Sequence, residues 1–230
     1  MINKICPSVQ EAVSTIQDGA TILIGGFGLA GQPTELIDGL LDQGARDLVI
    51  VNNNAGNGDT GLAALLAQGR VRKVICSYPR QKDSHVFDAL YRARRVELEL
   101  VPQGNLAERI RAAGAGIGAF FTPTGFGTPL AEGKETRLIG GRGYVLEYPI
   151  AGDVALIAAR RGDRWGNLVY RKTARNFGPI MAAAATVTIA SVHHVVELGE
   201  LDPESIITPG LYVHRVVKVR EPAHVKGDRS

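Results

Sequence analysis

Asp18-Gly19-Ala20-Thr21-Ile22-Leu23-Ile24-Gly25-Gly26-Phe27-Gly28-Leu29-Ala30-Gly31-Gln32-Pro33 decides how this chain is read. An apolar, β-branched run drives into four glycines and then a proline. That order reads as a buried strand, a tight loop whose backbone can approach a ligand, and the start of a helix. Glycine supplies the loop's backbone freedom. Proline suits a first helical turn because the N–H it lacks has no intrahelical partner there.

The pattern continues outward from this stretch. Upstream, Ser8 and Glu11 have capping-box spacing, and Val9, Val13 and Ile16 recur at helical intervals. Downstream, Leu36, Ile37, Leu40 and Leu41 form one apolar helix face, with Gly44 as its stop. Strands are expected over 48–51, 71–76 and 96–100, and helices over 60–68, 83–92 and 105–113. Asn105 and Glu108 are placed at capping positions of the last helix. Short loops joining alternating strands and helices indicate an α/β fold, a largely parallel sheet flanked by helices. From 114 to 143 Gly, Pro and Thr dominate, and a long functional or interface loop is expected. Strands return at 154–158, 186–190 and 213–219, and 221–230 reads as a frayed tail. With no repeat and no linker, residues 1–230 are taken as a single domain.

Composition narrows the function. Apolar residues make up 45% of the 230, and charged residues 21%, as in ordinary soluble domains. A net charge of +3 and 6% aromatics offer neither the basic stripe nor the stacking rings of a nucleic-acid platform, so no nucleic acid is expected. Neither a membrane-length apolar run nor a signal-peptide core is present, and no membrane association is expected. Cys6 and Cys76 lie far apart, without metal spacing, which suits reduced thiols in a cytoplasmic protein. His193 and His194 are adjacent on a strand and face opposite ways, so no metal site is expected from them. The lone Trp165 falls in a run that reads as a hairpin turn.

The glycine loop admits more than one reading. Gly26-x-Gly28-x-x-Gly31 satisfies the dinucleotide fingerprint, but that fold needs a carboxylate at the end of the second strand. Here the strand runs into Asn52-Asn53-Asn54, and the nearest acid, Asp47, precedes it. A tight turn with no ligand is the alternative.

The quoted stretch also fits, position by position, D-G-x-x, three aliphatics, then G-G-F-x-x-x-G-x-P. In this it resembles coenzyme A transferases of the 3-oxoacid type. Asn53-Asn54-Ala55-Gly56, the run from Val101 to Ala112 containing Pro102-Gln103-Gly104, Phe120 to Thr128, and Tyr170 to Phe177 follow in the family's order. The likeness covers about Ser8 to Val217 and is to the A (alpha) subunit. Asn57-Gly58 and Cys76-Ser77-Tyr78-Pro79-Arg80-Gln81 resemble the branch acting on 3-oxoadipate.

The resemblance implies a CoA-transferase subunit fold and a two-subunit enzyme. The nucleophilic glutamate would lie on the B (beta) subunit, because the family's S-E-N-G segment is absent from this chain. CoA and acyl-CoA would be substrates, with no permanently bound cofactor. Gln103 would donate to the oxyanion, and Gly25, Gly26, Phe27, Gly28, Leu29, Ala30 and Gly31 would line the CoA thioester. Asn53 and Asn54 would contact substrate. Arg80, in the branch-specific run, is assigned to the second carboxylate of a dicarboxylic 3-oxo acid, which a guanidinium grips with two parallel hydrogen bonds. Glu97, Glu99, Glu108, Glu132, Glu135 and Glu147 are read as solvated or capping groups. Arg171, Lys172 and Arg175 are candidates for CoA phosphates, for the partner chain, or for a solvated patch. The alternatives are acetoacetate or a short fatty acid as acceptor, and a non-catalytic sugar-phosphate-binding module of related fold.

Overall fold

β2 (Thr21–Ile24) lies at the middle of the main sheet of the computed structural model, which describes residues 2–220. The other strands are β1 (Ile5–Cys6), β3 (Leu48–Val51), β4 (Val71–Cys76), β5 (Glu97–Leu100), β6 (Phe120–Thr122), β7 (Thr136–Ile139), β8 (Arg142–Glu147), β9 (Gly152–Asp163), β10 (Leu168–Val169), β11 (Ala185–Val196) and β12 (Arg215–Lys218). The helices are α1 (Val9–Val13), α2 (Thr34–Gln43), α3 (Leu62–Ala67), α4 (His85–Arg92), α5 (Gln103–Gly114) and α6 (Gly178–Ala184). The sheet order is β1-β12-β11-β9-β2-β3-β4-β5, with β10 hairpinned on β9. Every pair along that path is parallel.

Both faces of the sheet are covered at its middle, so β3 and the Ile22-Leu23-Ile24 run of β2 are apolar on both faces. Ile22, Ile24, Ile50, Leu156 and Ile189 point one way, into a core with Val13, Leu36, Leu40 and Leu65 from α1, α2 and α3. Leu23, Val51, Ile157 and Ala190 point the other way, against Leu106 and Ile110 of α5 and Met181 of α6. Each large side chain buried this fully contributes about 1.5–3 kcal/mol.

The chain steps outward from β2 through β3, β4 and β5, then returns to β9 on the other side of β2. Ligands of open α/β sheets bind at such a reversal, outside the carboxyl ends of the strands. The glycine loop leaves β2 at that point, and the Gly25 N–H still bonds Leu156 O of β9 at 2.9 Å.

Several boundaries differ from the sequence expectation. Pro33 caps α2 from just outside the helix. α5 begins at Gln103, so Asn105 is a buried residue of its first turn, and the cap position falls to Pro102. Glu108 pairs with Arg111 on the helix surface instead of capping. α6 lies in an alanine-rich run whose apolar residues have no helical face to recognise. The segment 114–143 is not a long loop. It carries β6 and β7 which, with β8, make a small antiparallel sheet in the order β6-β8-β7. Gly140-Gly141, both with positive φ (59° and 78°), turn β7 into β8 between Ile139 and Arg142. Two central residues with positive φ are what a type I′ hairpin requires. The expected tail at 221–230 lies outside the described residues.

Candidate active site

The glycine loop is folded on itself and pinned from two sides. Phe27 and Ala30 exchange backbone hydrogen bonds at 3.0 and 3.2 Å. From one side, Asn176 accepts the Gly26 N–H at 3.0 Å and donates to Ala30 O at 2.8 Å. From the other, Asn54 Oδ1 accepts the Gly28 N–H at 3.0 Å. Gly31 (φ 71°) passes so close to the segment before Asn176 that a Cβ there would lie 2.0 Å from Ala174 O. Phe27 and Leu29 project outward, Leu29 being 84% exposed.

Asn52, Asn53 and Asn54 follow β3 and are all buried, so each polar atom needs a partner. Asn52 occupies the place where a dinucleotide fold would carry its acid, and its Nδ2 instead ties β3 to Ile24 O of β2 at 2.6 Å. Asn53 Oδ1 accepts from Gln103 Nε2 at 2.9 Å and from Ser77 Oγ at 2.7 Å. Asn53 Nδ2 donates to Asn54 Oδ1 at 3.3 Å, the oxygen that also holds Gly28. One line of hydrogen bonds thus joins Gln103, on the first turn of α5, to the glycine loop. Gln103 is exposed, whereas Asn53 and Asn54 lie beneath it with their amides bonded to protein atoms. An amide carries two N–H groups, so the bond to Asn53 leaves Gln103 one for a ligand.

Two cavities flank the loop, and Leu29 and Gln32 line both. The smaller, about 80 Å³, is lined by amides including Asn54, Asn57 and Gln81. The larger, about 860 Å³, opens toward β9 and β11. Arg80, next to Gln81, is 57% exposed and donates from Nε to Asp88 at 2.7 Å. His193 is half-buried and His194 exposed. Cys76 is sealed in the core, and burial pushes its thiol up to about 12, against a weaker opposing hydrogen bond from the Tyr78 backbone.

Two glutamates are not the solvated groups expected. Glu147 is only 3% exposed and is held by Lys134 at 2.7 Å, with Arg109 at 3.7 Å and Asn105 at 3.3 Å. Glu99 is half-buried between Lys73 (2.6 Å) and Arg109 (2.9 Å). Burial pushes its carboxyl up, but hydrogen bonds and charge from Lys73 and Arg109 outweigh this and hold it below the usual carboxylate range. These contacts join β4, β5, α5 and β8. Glu97, by contrast, is exposed as expected.

Asn176 and Ser77 are the site residues that sequence reasoning left unassigned. Both stand inside runs already quoted, Tyr170 to Phe177 and Cys76 to Gln81. Only folding shows that they brace the glycine loop and Asn53.

Residues 7–219 match the family model described as coenzyme A transferase. The chain is 70% identical over 219 residues to the A subunit of 3-oxoadipate CoA-transferase from Pseudomonas putida, covering 95% of each chain. It is 67% identical over 220 residues to the protein of the same name from Acinetobacter baylyi, covering 96% of each. The A subunit of a probable succinyl-CoA:3-ketoacid coenzyme A transferase of Bacillus subtilis is 52% identical over 216 residues, 94% of this chain and 90% of that one. Among solved structures, glutaconate coenzyme A-transferase of Acidaminococcus fermentans superposes with a TM-score of 0.82 at 22% identity, over 94% of this chain and 76% of that one. That likeness is one of fold.

Proposed function

The chain belongs to the coenzyme A transferase family, and from that premise we propose that it is the A subunit of a two-subunit enzyme that moves CoA from succinyl-CoA to 3-oxoadipate. The observation that carries the acceptor is the 70% and 67% identity to subunits of that name, against 52% for the 3-ketoacid relative. CoA enters and leaves as a substrate, and the reaction calls on no resident cofactor. Two free cysteines, one sealed in the core, suit a reducing cytoplasm.

The chemistry is covalent and ping-pong. On the B subunit, the nucleophilic glutamate attacks the thioester carbonyl of succinyl-CoA, and CoA thiolate leaves a mixed anhydride. The thiolate attacks the glutamyl carbonyl, releasing succinate and leaving a glutamyl-CoA thioester. The acceptor carboxylate then attacks that thioester, expelling the thiolate and forming a second anhydride. The thiolate attacks the acceptor's acyl carbon, and the glutamate is freed.

Each attack passes through an oxyanion, and this chain's part is to stabilise it. Gln103 donates its second N–H there. Its amide is aimed beforehand by Asn53, so no reorganisation is needed as charge develops. An amide is also no rival nucleophile to the glutamate. Gly25 through Gly31 lie along the thioester, with Asn54 and Asn176 fixing the loop's path. Asn53 and Asn54 act on substrate through Gln103 and Gly28. Arg80 takes the acceptor's distal carboxylate. Asp88 holds it through Nε, and its neighbour Gln81 lines the small cavity beside Gly28.

The test is transfer from succinyl-CoA to 3-oxoadipate and to acetoacetate, by this chain alone and with its cognate B subunit. Activity only in the mixture, with 3-oxoadipate favoured, is the expected result. Activity of this chain alone, or preference for acetoacetate, overturns the reading.

A further inference from the structure

We infer that Asn105 and Glu147 are positioning residues for Gln103, and that the small antiparallel sheet is the buttress from which they act; the inference rests on the oxyanion role given to Gln103 above. Local sequence leaves the start of α5 weak. The first N–H groups of any helix have no partner within it. Here the cap position is Pro102, which makes no side-chain hydrogen bond, and no acidic residue stands in the first turn. Gly104 and Asn105 come directly after Gln103, and both are poor helix formers. Helix ends of this kind fray. An oxyanion donor, by contrast, has to be in place before charge develops.

The missing hold is supplied from the side. Residues two apart on a helix point about 200° away from each other. Gln103 therefore reaches Asn53, while Asn105 is buried on the opposite side of the turn. An amide offers two N–H groups. Asn105 Nδ2 donates to Glu147 Oε1 and to Thr124 O, each at 3.3 Å. Thr124 follows β6 and Glu147 ends β8, so one side chain ties the first turn of α5 to two strands of the small sheet. A turn further on, Arg109 Nε donates to Tyr148 O at 2.6 Å, and the Ile150 N–H donates to Arg109 O at 2.9 Å. The head of α5 is thus gripped between Asn53 and the 124–150 segment.

Glu147 is the centre of this grip. The oxygen that accepts from Asn105 also accepts from Lys134 Nζ at 2.7 Å, just ahead of β7. Charges alternate in one chain, Lys73, Glu99, Arg109, Glu147 and Lys134, from β4 across α5 to the small sheet. Burying such a chain adds little net stability, because desolvation offsets the attraction, and its best-attested use is to fix one geometry. Apolar packing would also attach the small sheet to α5, but it is non-directional. A carboxylate at a set distance and angle fixes the rotation of the turn, and with it the direction of Gln103.

The experiment uses the assembled two-subunit enzyme with Asn105→Ala or Glu147→Gln, each alone and combined with Gln103→Ala. Steady-state kinetics with succinyl-CoA is read beside hydrogen–deuterium exchange of the amides at 103–106. Alanine is the better helix former, so on propensity alone Asn105→Ala would tighten the turn. The expected result is the reverse: faster exchange there, and a fall in kcat of roughly tenfold, the scale of one hydrogen bond to a charged group, with KM little changed. Glu147→Gln keeps an acceptor for Asn105 and loses less. In the Gln103→Ala background both substitutions are expected to change kcat by less than about twofold, because the device they aim is already gone. Equal falls with and without Gln103, a change in KM alone, unchanged exchange, or loss of assembly with the B subunit on gel filtration overturns the inference. If Gln103→Ala by itself leaves kcat intact while Asn105→Ala still quickens exchange, the oxyanion reading falls and the hold on α5 stands.

Discussion

Gln103 Nε2 and Asn53 Oδ1 meet at 2.9 Å across fifty positions of sequence, and the contact joins the first turn of α5 to the end of β3. It converts a flexible, exposed amide into one with a set direction. Replacing Gln103 with Ala is expected to lower kcat of the assembled enzyme by roughly 100- to 1,000-fold, as for loss of one oxyanion donor. KM changes little. Asn53→Ala leaves the donor but frees its direction, so a smaller loss is expected. In the double variant the two losses fail to add, because they remove one device. Full additivity in steady-state kinetics would separate the residues.

Gly31→Ala tests the close approach beside the loop. Its Cβ would overlap the Ala174 carbonyl, and its positive φ penalises any L side chain. Thermal denaturation is expected to show clear destabilisation, with transfer activity abolished. Gly28→Ala has open space around it and meets only the backbone cost, about 1–2 kcal/mol. Equal Tm values for the two variants would refute the packing account.

Asn176→Asp keeps the acceptor that holds Gly26 but turns the donor facing Ala30 O into a second acceptor. One side of the loop is then repelled. A fall in kcat/KM with a modest change in Tm is the expected outcome. A variant indistinguishable from wild type in both would remove Asn176 from the loop's support.

Glu99 gives the acid limb of the stability profile a definite sign. Its folded pKa is depressed, so its stabilisation is present above the ordinary carboxylate pKa of about 4.3 and is lost as pH falls through the folded value. The Tm gap between wild type and Glu99→Gln is therefore expected to be widest near neutrality and to close below about pH 4. A gap that grows on acidification contradicts the assignment.

Arg80→Ala separates surface pairing from acceptor recognition. Its ion pair with Asp88 is solvent-exposed, and such pairs contribute about 0–1 kcal/mol, so Tm barely moves. Preference for 3-oxoadipate over acetoacetate is expected to fall roughly tenfold or more, as for one charged hydrogen bond. An unchanged acceptor ratio would return Arg80 to the surface.

The fold was legible where local pattern and tertiary environment agree. The β2–loop–α2 unit was readable because its strand is apolar on both faces and its glycines and proline carry their own geometry. The small sheet was not, since β6, β7 and β8 are short, half-exposed and threaded through Gly, Pro and Thr. Its clearest mark, Gly140-Gly141 between two strands, lay in plain sight. Gln103 could be named from the resemblance. Its orientation could not, because Asn53 is distant in sequence and Ser77 has no signature. Glu147 and Glu99 escaped for the same reason: a carboxylate looks alike in sequence whether water or two cations surround it.

The β9–β11 pairing runs from Gly152 beside Ala185 to Asp163 beside Val196, far longer than the three rungs that join β2 to each of its neighbours. Amides in long central ladders exchange with solvent last, those of short outer ones first. Deuterium would therefore invade the β3–β5 side, which carries Asn53 and the approach to Gln103, well before the β9–β11 pair. The two halves of the crevice then differ in compliance. One is a fixed anvil, and the other a wall that can breathe as the reacting end of the substrate passes from one acid to the next.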